Sequence, residues 1–247
     1  MKITIDGKIC EATPGQFLLA VARNNDINIP TLCHHEALPG RGGCRLCIVE
    51  TEDAAGSRSL VVSCVYPVRE GLTVYTKSEK VIRLRRTLLA LLIEHAPAAE
   101  GTLLSYCLEY GVTGYGGLFN PRKDEKCILC GQCVRVCEEL GNSAIQITRR
   151  GVDKAVEPPF DEPPQDCTGC AACARVCPTR AIECLNDDEY RTIWGKTFPL
   201  VKCAACGKPY ATADELTCLK RKLLDTELNL AYCPKCKKRM VRERGMR

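Results

Sequence analysis

A chain of 247 residues with a net charge of +5 is long enough for one large domain or several small ones, and its charge is too modest to mark a nucleic-acid binder. Twenty cysteines against four phenylalanines and one tryptophan exclude a single aromatic-rich core, and point to small modules held by something other than apolar packing. The chain opens "MKITIDGKICEA", without the apolar run of a secretory signal, and its longest greasy stretch, Leu88 to Ile93, is too short for a membrane span. A cytoplasmic protein is expected, in which dense thiols mean metal rather than disulfides.

At the N-terminus "KITIDGKICEA" reads as a β-hairpin about Asp6–Gly7, a pair favoured in type I′ turns. "GQFLLAVARNND" reads as a helix with Phe17, Leu18, Val21 and Ala22 on one face. Then come Cys33, Cys44 and Cys47 in "TLCHHEALPGRGGCRLCIVE", and Cys64 in "VVSCVYPVREGLTVYT". Gly40, Gly42 and Gly43 let the backbone wrap closely and aim amides at the sulfurs. "CIVE" and "LTVYT" read as strands that close the sheet. The gap between Cys33 and Cys44 is wider than in the plant spacing C-x4-C-x2-C, so the residues alone suggest a [2Fe–2S] site with zinc as the alternative. His34 and His35 are expected beside the site or on the surface rather than as ligands.

"SEKVIRLRRTLLALLIEH" reads as a helix with Ser78 as its N-cap. "GVTGYGG", at 111–117, lacks the G-x-G-x-x-G order, and no strand precedes it, so it is no dinucleotide loop.

Two matched runs follow. "CILCGQCVRVC" supplies Cys127, Cys130, Cys133 and Cys137; "CTGCAACARVCP" supplies Cys167, Cys170, Cys173 and Cys177. Both read C-x2-C-x2-C-x3-C, the spacing of two-cluster bacterial ferredoxins, in which the fourth cysteine ligates the other cluster. One [4Fe–4S] cluster is therefore assigned to Cys127, Cys130, Cys133 and Cys177. The second goes to Cys167, Cys170, Cys173 and Cys137. Two zinc sites would leave the matched repeat unexplained. "AIQIT" and "AIECL" read as short strands over the clusters, and "RRGVDKAVEPPFDEPPQD" as a stiff polar surface loop.

Near the end, Cys203 and Cys206 in "CAACGKPY" and Cys233 and Cys236 in "YCPKC" form two C-x2-C knuckles suited to tetrahedral zinc. A single rubredoxin-like iron, or another cluster recruiting Cys218, are the alternatives. Between the knuckles "ADELTCLKRKLLDTEL" reads as helical, and the basic end "CPKCKKRMVRERGMR" as a solvated or docking surface. Cys10, Cys107, Cys184 and Cys218 are left over and are expected to behave as small buried apolar side chains.

Through "IPTLCHHEALPGRGGCRLCIVE" and "SCVYPVREGLTVYT", residues 1–77 resemble the N-terminal [2Fe–2S] β-grasp domain of the large iron–sulfur subunit of complex I. The same domain opens iron-only hydrogenases, NAD-linked formate dehydrogenases and the diaphorase small subunit of NAD-reducing nickel–iron hydrogenases. "KCILCGQCVRVCEEL" resembles the two-cluster module of those proteins, in the same order. The tail resembles zinc-ribbon ends of iron–sulfur subunits in membrane-linked hydrogenase complexes. The resemblance implies an α+β chain of four modules: a β-grasp [2Fe–2S] domain over 1–77, a helical segment over 78–119, a two-[4Fe–4S] ferredoxin-like domain over 120–198 and a zinc-ribbon-like tail over 199–247.

In that family the helical segment carries H-x3-C-x2-C-x5-C, which binds a third [4Fe–4S] cluster. Here His95 stands at the histidine position, Ala99 and Thr102 at the next two, and Cys107 falls one residue short of the fourth. A vacated site is expected, with its fold kept. In the rival reading His95 and Cys107 still bind metal with help from a partner chain.

With no catalytic constellation read, the expected function is electron transfer through one [2Fe–2S] and two [4Fe–4S] clusters, with one zinc ion in the tail. The resemblance implies an NAD(P)H-binding flavin subunit on one side and a hydrogenase or formate dehydrogenase on the other. It also accommodates a ferredoxin-coupled, electron-bifurcating assembly. A free-standing polyferredoxin is the alternative; its four modules present more surface than a shuttle needs.

Overall fold

The computed structural model describes residues 1–117, 123–223 and 230–245. The chain folds as two compact units, Met1–Gln132 with Val176–Ala181, and Cys133–Arg175 with Ile182–Arg247.

The first unit is built on a five-stranded sheet in the order β2-β1-β5-β3-β4. β1 (Lys2–Ile5) and β2 (Lys8–Glu11) are antiparallel, and Asp6 and Gly7 between them take φ of 47° and 84°, as a type I′ turn demands. Ile3, Ile5 and Cys10 point inward, and α1 (Leu18–Asn24) covers them with Leu18, Leu19, Val21 and Ala22. Phe17 departs from the expected helical face. It is the extended N-cap residue and stays 45% exposed, so Leu19 takes the inward place.

β3 (Ile48–Glu52) and β5 (Thr73–Tyr75) pair antiparallel, and β1 pairs parallel with β5. β4 (Arg58–Val62) joins on the outer side of β3 and was not expected from the sequence. It is an edge strand whose Arg58, Ser59 and Leu60 are all exposed, so it carries no inward apolar alternation.

α2 (Glu79–His95) begins where the Ser78 hydroxyl accepts from Val81 N at 3.4 Å. Its buried face contains a charge: Arg85 is only 2% exposed. The guanidinium donates to Leu46 O (3.1 Å), Ile48 O (2.7 Å), Thr76 O (2.9 Å) and the Tyr110 hydroxyl (3.2 Å). Leu46 and Ile48 flank Cys47, so one side chain of α2 fixes the backbone on both sides of that cysteine. Tyr110 closes α3 (Thr102–Tyr110), which packs with α2 around a second core of Leu32, Leu46, Leu89, Ala96, Ala99, Leu103 and Ile128.

The second unit holds α4 (Gln132–Glu139) from Cys133 on, β6 (Gln146–Thr148), β7 (Ala155–Glu157), α5 (Ala172–Val176) up to Arg175, and β8 (Cys184–Asn186). The stretch expected as a loop between the cysteine runs contains β7, antiparallel to β6 with Gln146 opposite Glu157. The paired prolines, which cannot donate to a ladder, all follow that strand. β9 (Tyr190–Ile193), β10 (Lys196–Lys202) and β11 (Pro209–Thr212) extend β8 into a four-stranded antiparallel sheet in the order β11-β10-β9-β8. α6 (Ala213–Leu223) occupies the first part of the helix expected between the knuckles; its expected continuation from 224 lies outside the described residues. α7 (Pro234–Gly245) ends the described chain. Among the described residues, no helix is long and apolar enough to cross a membrane.

Replacing Arg85 with Met leaves three buried carbonyls without their charged donor and should destabilise the protein by about 3 kcal/mol. Urea unfolding of the purified chain measures this, and a loss below about 1 kcal/mol would show that Arg85 does not hold the fold together.

Candidate metal centres

Cys33, Cys44, Cys47 and Cys64 are all at most 9% exposed and lie in loops around the end of β3. Their sulfurs meet in two pairs. A hydrogen bond with Cys33, then burial, pushes the Cys44 thiol far above the ordinary range; Cys64 and burial do the same to Cys47. Cys64 is held low by its bond from Cys47, helped by the Gly42 amide. Two sulfur pairs with backbone donors suit a two-iron centre, one pair to each iron.

The surrounding backbone is shaped for this. Cys44 N donates to Cys33 Sγ at 3.3 Å, and Ser63 Oγ ties the Cys47 carbonyl at 2.8 Å. Gly42 has φ of 66°, and a Cβ on Gly40 would lie 2.4 Å from the Cys64 carbonyl oxygen. The expected glycine wrap is therefore steric at Gly40 and conformational at Gly42. At Gly43 a Cβ would make only an ordinary contact, 3.7 Å from Cys33 Sγ.

The two ferredoxin-type runs wind alike. The second residue after the first cysteine is left-handed in both, Leu129 at φ 53° and Gly169 at φ 67°. So is the residue after the second cysteine, Gly131 at 72° and Ala171 at 57°. This turn presents the Leu129 amide to Cys127 Sγ and the Gly169 amide to Cys167 Sγ, each at 3.4 Å. Amides turned onto sulfur stabilise negative charge there.

Within the second unit, Cys137, Cys167, Cys170 and Cys173 line one small cavity, whose wall Ile193 and Trp194 complete. The set combines the last cysteine of the first run with the first three of the second. Burial raises the thiols of Cys137, Cys167 and Cys173, the last to about 11. Ala144 N opposes this at Cys137, donating to its sulfur at 3.3 Å. The β9–β10 hairpin grips the same loop from outside. Arg191 donates to Gly169 O at 2.8 Å and Lys196 to Cys167 O at 3.3 Å, while Phe198 fills the space that a Cβ on Gly169 would need, 2.6 Å away.

Of the other predicted set, Cys127, Cys130 and Cys177 lie in the first unit, and Cys133 stands on α4 in the second. Burial pushes Cys130 up to about 12, and Cys177, Cys127 and Cys33 each add to it through their charge. Ala181 N donates to Cys177 Sγ at 3.3 Å. Cys33 belongs to the candidate two-iron set, so the two ligand loops are electrostatic neighbours. Gln132 reinforces the link by donating its side-chain amide to Leu32 O.

The tail sulfurs of Cys203, Cys206, Cys233 and Cys236 all lie within 4.8 Å of one another. Four thiolates about 2.3 Å from one tetrahedral ion stand about 3.8 Å apart, whereas ligands around a cluster are spread wider. Cys206 Sγ and Cys233 Sγ, at 4.0 Å, match the single-ion scale. Cys233 N donates to Cys203 Sγ at 3.2 Å, and with the amides of Ala205 and Cys206 it draws that thiol down to about 6. Cys218 stays outside this group and meets Asn142 Oδ1 at 3.5 Å.

In the segment expected to be vacated, Ala96, Ala99, Leu103 and Cys107 are all at most 4% exposed and packed into the apolar core with Leu32 and Leu89. Burial alone raises the Cys107 thiol. Thr102 opens α3, its amide bonded to Pro178 O at 3.0 Å. Cys10 likewise packs among apolar residues of the sheet.

Residues 1–79 match the family described as a 2Fe-2S iron-sulfur cluster binding domain, and residues 122–186 match the 4Fe-4S dicluster domain. The NADP-reducing hydrogenase subunit HndD of Solidesulfovibrio fructosivorans is 34% identical, in an alignment that covers 78% of this chain and 37% of that protein. An NADH-quinone oxidoreductase subunit of Rhizobium meliloti is 30% identical, in an alignment that covers 84% of this chain and 27% of that one. A chain of the NAD+-reducing [NiFe]-hydrogenase, solved in its H2-reduced state, superposes with a TM-score of 0.64 at 30% identity, covering 73% of this chain and 85% of that chain. The chain belongs to this family of iron–sulfur subunits. It spans little more than a third of HndD and about a quarter of the Rhizobium meliloti protein.

In this iron–sulfur subunit the cysteines are legible in the sequence, and their supports are not. Arg85 looks like one more cation in a helix already rich in arginine. The hairpin at Trp194–Gly195 carries a signal, strands flanking an X-Gly pair, that sequence reasoning missed.

Gly40→Ala should cost about 1–3 kcal/mol and reduce [2Fe–2S] occupancy, because the added methyl meets backbone. Gly43→Ala should leave both close to wild type. Visible absorbance and iron content of the two variants, purified side by side, separate them; equal losses would discard the steric role of Gly40.

Proposed function

We propose that this chain conducts electrons within an NAD(P)-linked oxidoreductase complex, between a flavin-containing NAD(P)H subunit and a hydrogenase or formate dehydrogenase. Cys33, Cys44, Cys47 and Cys64 would hold a [2Fe–2S] cluster. Cys127, Cys130, Cys133 and Cys177 would hold one [4Fe–4S] cluster, and Cys137, Cys167, Cys170 and Cys173 the other. When bound, these clusters supply one-electron exchange. Cys203, Cys206, Cys233 and Cys236 would take one zinc ion with a structural role. A ferredoxin-coupled, bifurcating assembly fits the same ligand sets.

The observation that carries this reading is the proximity of Cys33 to Cys130, with Gln132 bonded to Leu32, inside one compact unit. A cysteine of the candidate two-iron site thereby stands beside a cysteine of the first ferredoxin-type run, as a relay requires. The protein's own work is to bury these sulfurs, to aim amides at them and to fix the loops, which together set how readily each centre accepts an electron. The names of the relatives, an NADP-reducing hydrogenase subunit and an NAD+-reducing hydrogenase, support the choice of partners. The α2–α3 segment, in which Ala99 and Cys107 sit in apolar packing, supports three clusters rather than four.

Anaerobically purified protein should contain about ten iron and one zinc per chain, with one [2Fe–2S] and two [4Fe–4S] signals in the EPR spectrum of the reduced sample. Cys203→Ser with Cys233→Ser should remove the zinc and leave the iron. About fourteen iron with zinc retained would instead place a further cubane at His95 and Cys107. Copurification with a flavin subunit at fixed stoichiometry is expected; a monomer reduced equally by many enzymes would favour the free carrier.

A further inference from the structure

The chain's single tryptophan occupies a backbone position that suits it poorly. Ile193 pairs with Lys196 across a two-residue turn, Trp194–Gly195, with φ of 55° and 72°. Both values are left-handed, which makes this a type I′ turn, whose first position belongs by preference to Asn, Asp or Gly. A bulky indole there is strained, and such strain persists where a side chain is needed in a particular place.

That place is the cavity lined by Cys137, Cys167, Cys170 and Cys173. Trp194 forms part of its wall beside Ile193. The indole Nε1–H is buried and makes no hydrogen bond, to oxygen, nitrogen or sulfur, among the described residues. Trp194 and Cys173 line the same cavity, and the indole draws the Cys173 thiol down against the effect of burial. A buried N–H without a partner costs free energy, so its burial here has a physical reason only if the sulfur becomes a strong acceptor, as a ligated thiolate does. The hairpin itself is anchored to the ligand loop on either side of Trp194, by Arg191 to Gly169 O and by Lys196 to Cys167 O and Gln165 O. It lies beyond residues 122–186, which match the dicluster domain.

We propose that the β9–β10 hairpin is a lid on the second [4Fe–4S] site, and that Trp194 is its positioning residue, donating its indole N–H to the Cys173 thiolate while its ring shields the cluster from water. This rests on the reading that Cys137, Cys167, Cys170 and Cys173 hold a cubane. A hydrogen bond to a ligand sulfur favours the reduced cluster, so Trp194 raises the reduction potential of this centre relative to the same site without it.

The test is a redox titration of the whole purified chain followed by EPR, comparing wild type, Trp194→Phe and Trp194→Asn. Trp194→Phe keeps an aromatic lid and removes only the donor. One of the two [4Fe–4S] potentials should move to more negative values, while the other and the [2Fe–2S] potential stay put. Trp194→Asn supplies the residue that the turn prefers, so its thermal unfolding should match or exceed wild type although the same potential falls and that cluster is lost faster in air. As a second readout, the fluorescence of the single tryptophan should be quenched in the iron-loaded protein and recover when iron is removed. Two intact cubanes with unshifted potentials in Trp194→Phe would overturn the proposal. So would equal shifts in both, or a marked loss of stability in Trp194→Asn, which would make the indole a packing residue. Wild-type protein with only one [4Fe–4S] signal would overturn the ligand assignment itself, and the lid with it.

Discussion

Thiolates resist being buried together, and the architecture of this chain follows from that resistance. Burial raises the thiols of Cys127, Cys130, Cys137, Cys167 and Cys173, while contact with a neighbouring sulfur and then burial raise Cys44 and Cys47. Without a cation, sulfurs so placed hold protons or repel one another. The backbone answers with amides turned onto sulfur at Cys33, Cys127, Cys137, Cys167, Cys177 and Cys203. Each such turn needs a local departure from helix or strand, which is why the ligand loops are rich in left-handed residues. Such loops have little reason to persist alone, and at sites of this kind metal binding contributes directly to folding.

The regular elements work as clamps on these loops. In the first unit α2 reaches the candidate two-iron loop through Arg85, a buried cation whose partners are three carbonyls and a hydroxyl. A positive charge beside Cys47 suits a site that gathers negative charge on reduction. The α2–α3 connection packs Ala96 and Ala99 against Leu32 and Cys33. Ala99, at one of the family's ligand positions, is apolar filling here. The segment braces the loop that carries the candidate two-iron ligands.

Much of this was legible because ligand spacing is a strong constraint. The two C-x2-C-x2-C-x3-C runs imply a crossed ligand set, and Cys137 does share a cavity with Cys167, Cys170 and Cys173. The Asp6–Gly7 turn and the Ser78 cap were readable because each depends on one or two residues with a specific local preference. What escaped depends on tertiary context. β4 has no inward face to announce it, β7 hides in a stretch dominated by prolines, and Phe17 lies one residue outside the helix that its hydrophobicity suggested. Arg85 is invisible for the same reason: nothing in "VIRLRRTLL" tells which arginine will be buried.

The tail gains a structural reason from its place in the second unit. β10 begins beside Trp194–Gly195 and ends one residue before Cys203, so the knuckle cysteines terminate the strand that forms one side of the lid hairpin. β11 pairs back onto β10, and Thr212 at its end donates to Thr168 O, inside the Cys167–Cys170 loop. Phe198, in the middle of β10, occupies the space left by Gly169 in the same loop. An ion held by Cys203, Cys206, Cys233 and Cys236 would fix the far end of a sheet whose near end grips the candidate cubane ligands. A redox-inert ion suits that task, because a site that braces a cluster loop must not change its own charge as electrons pass.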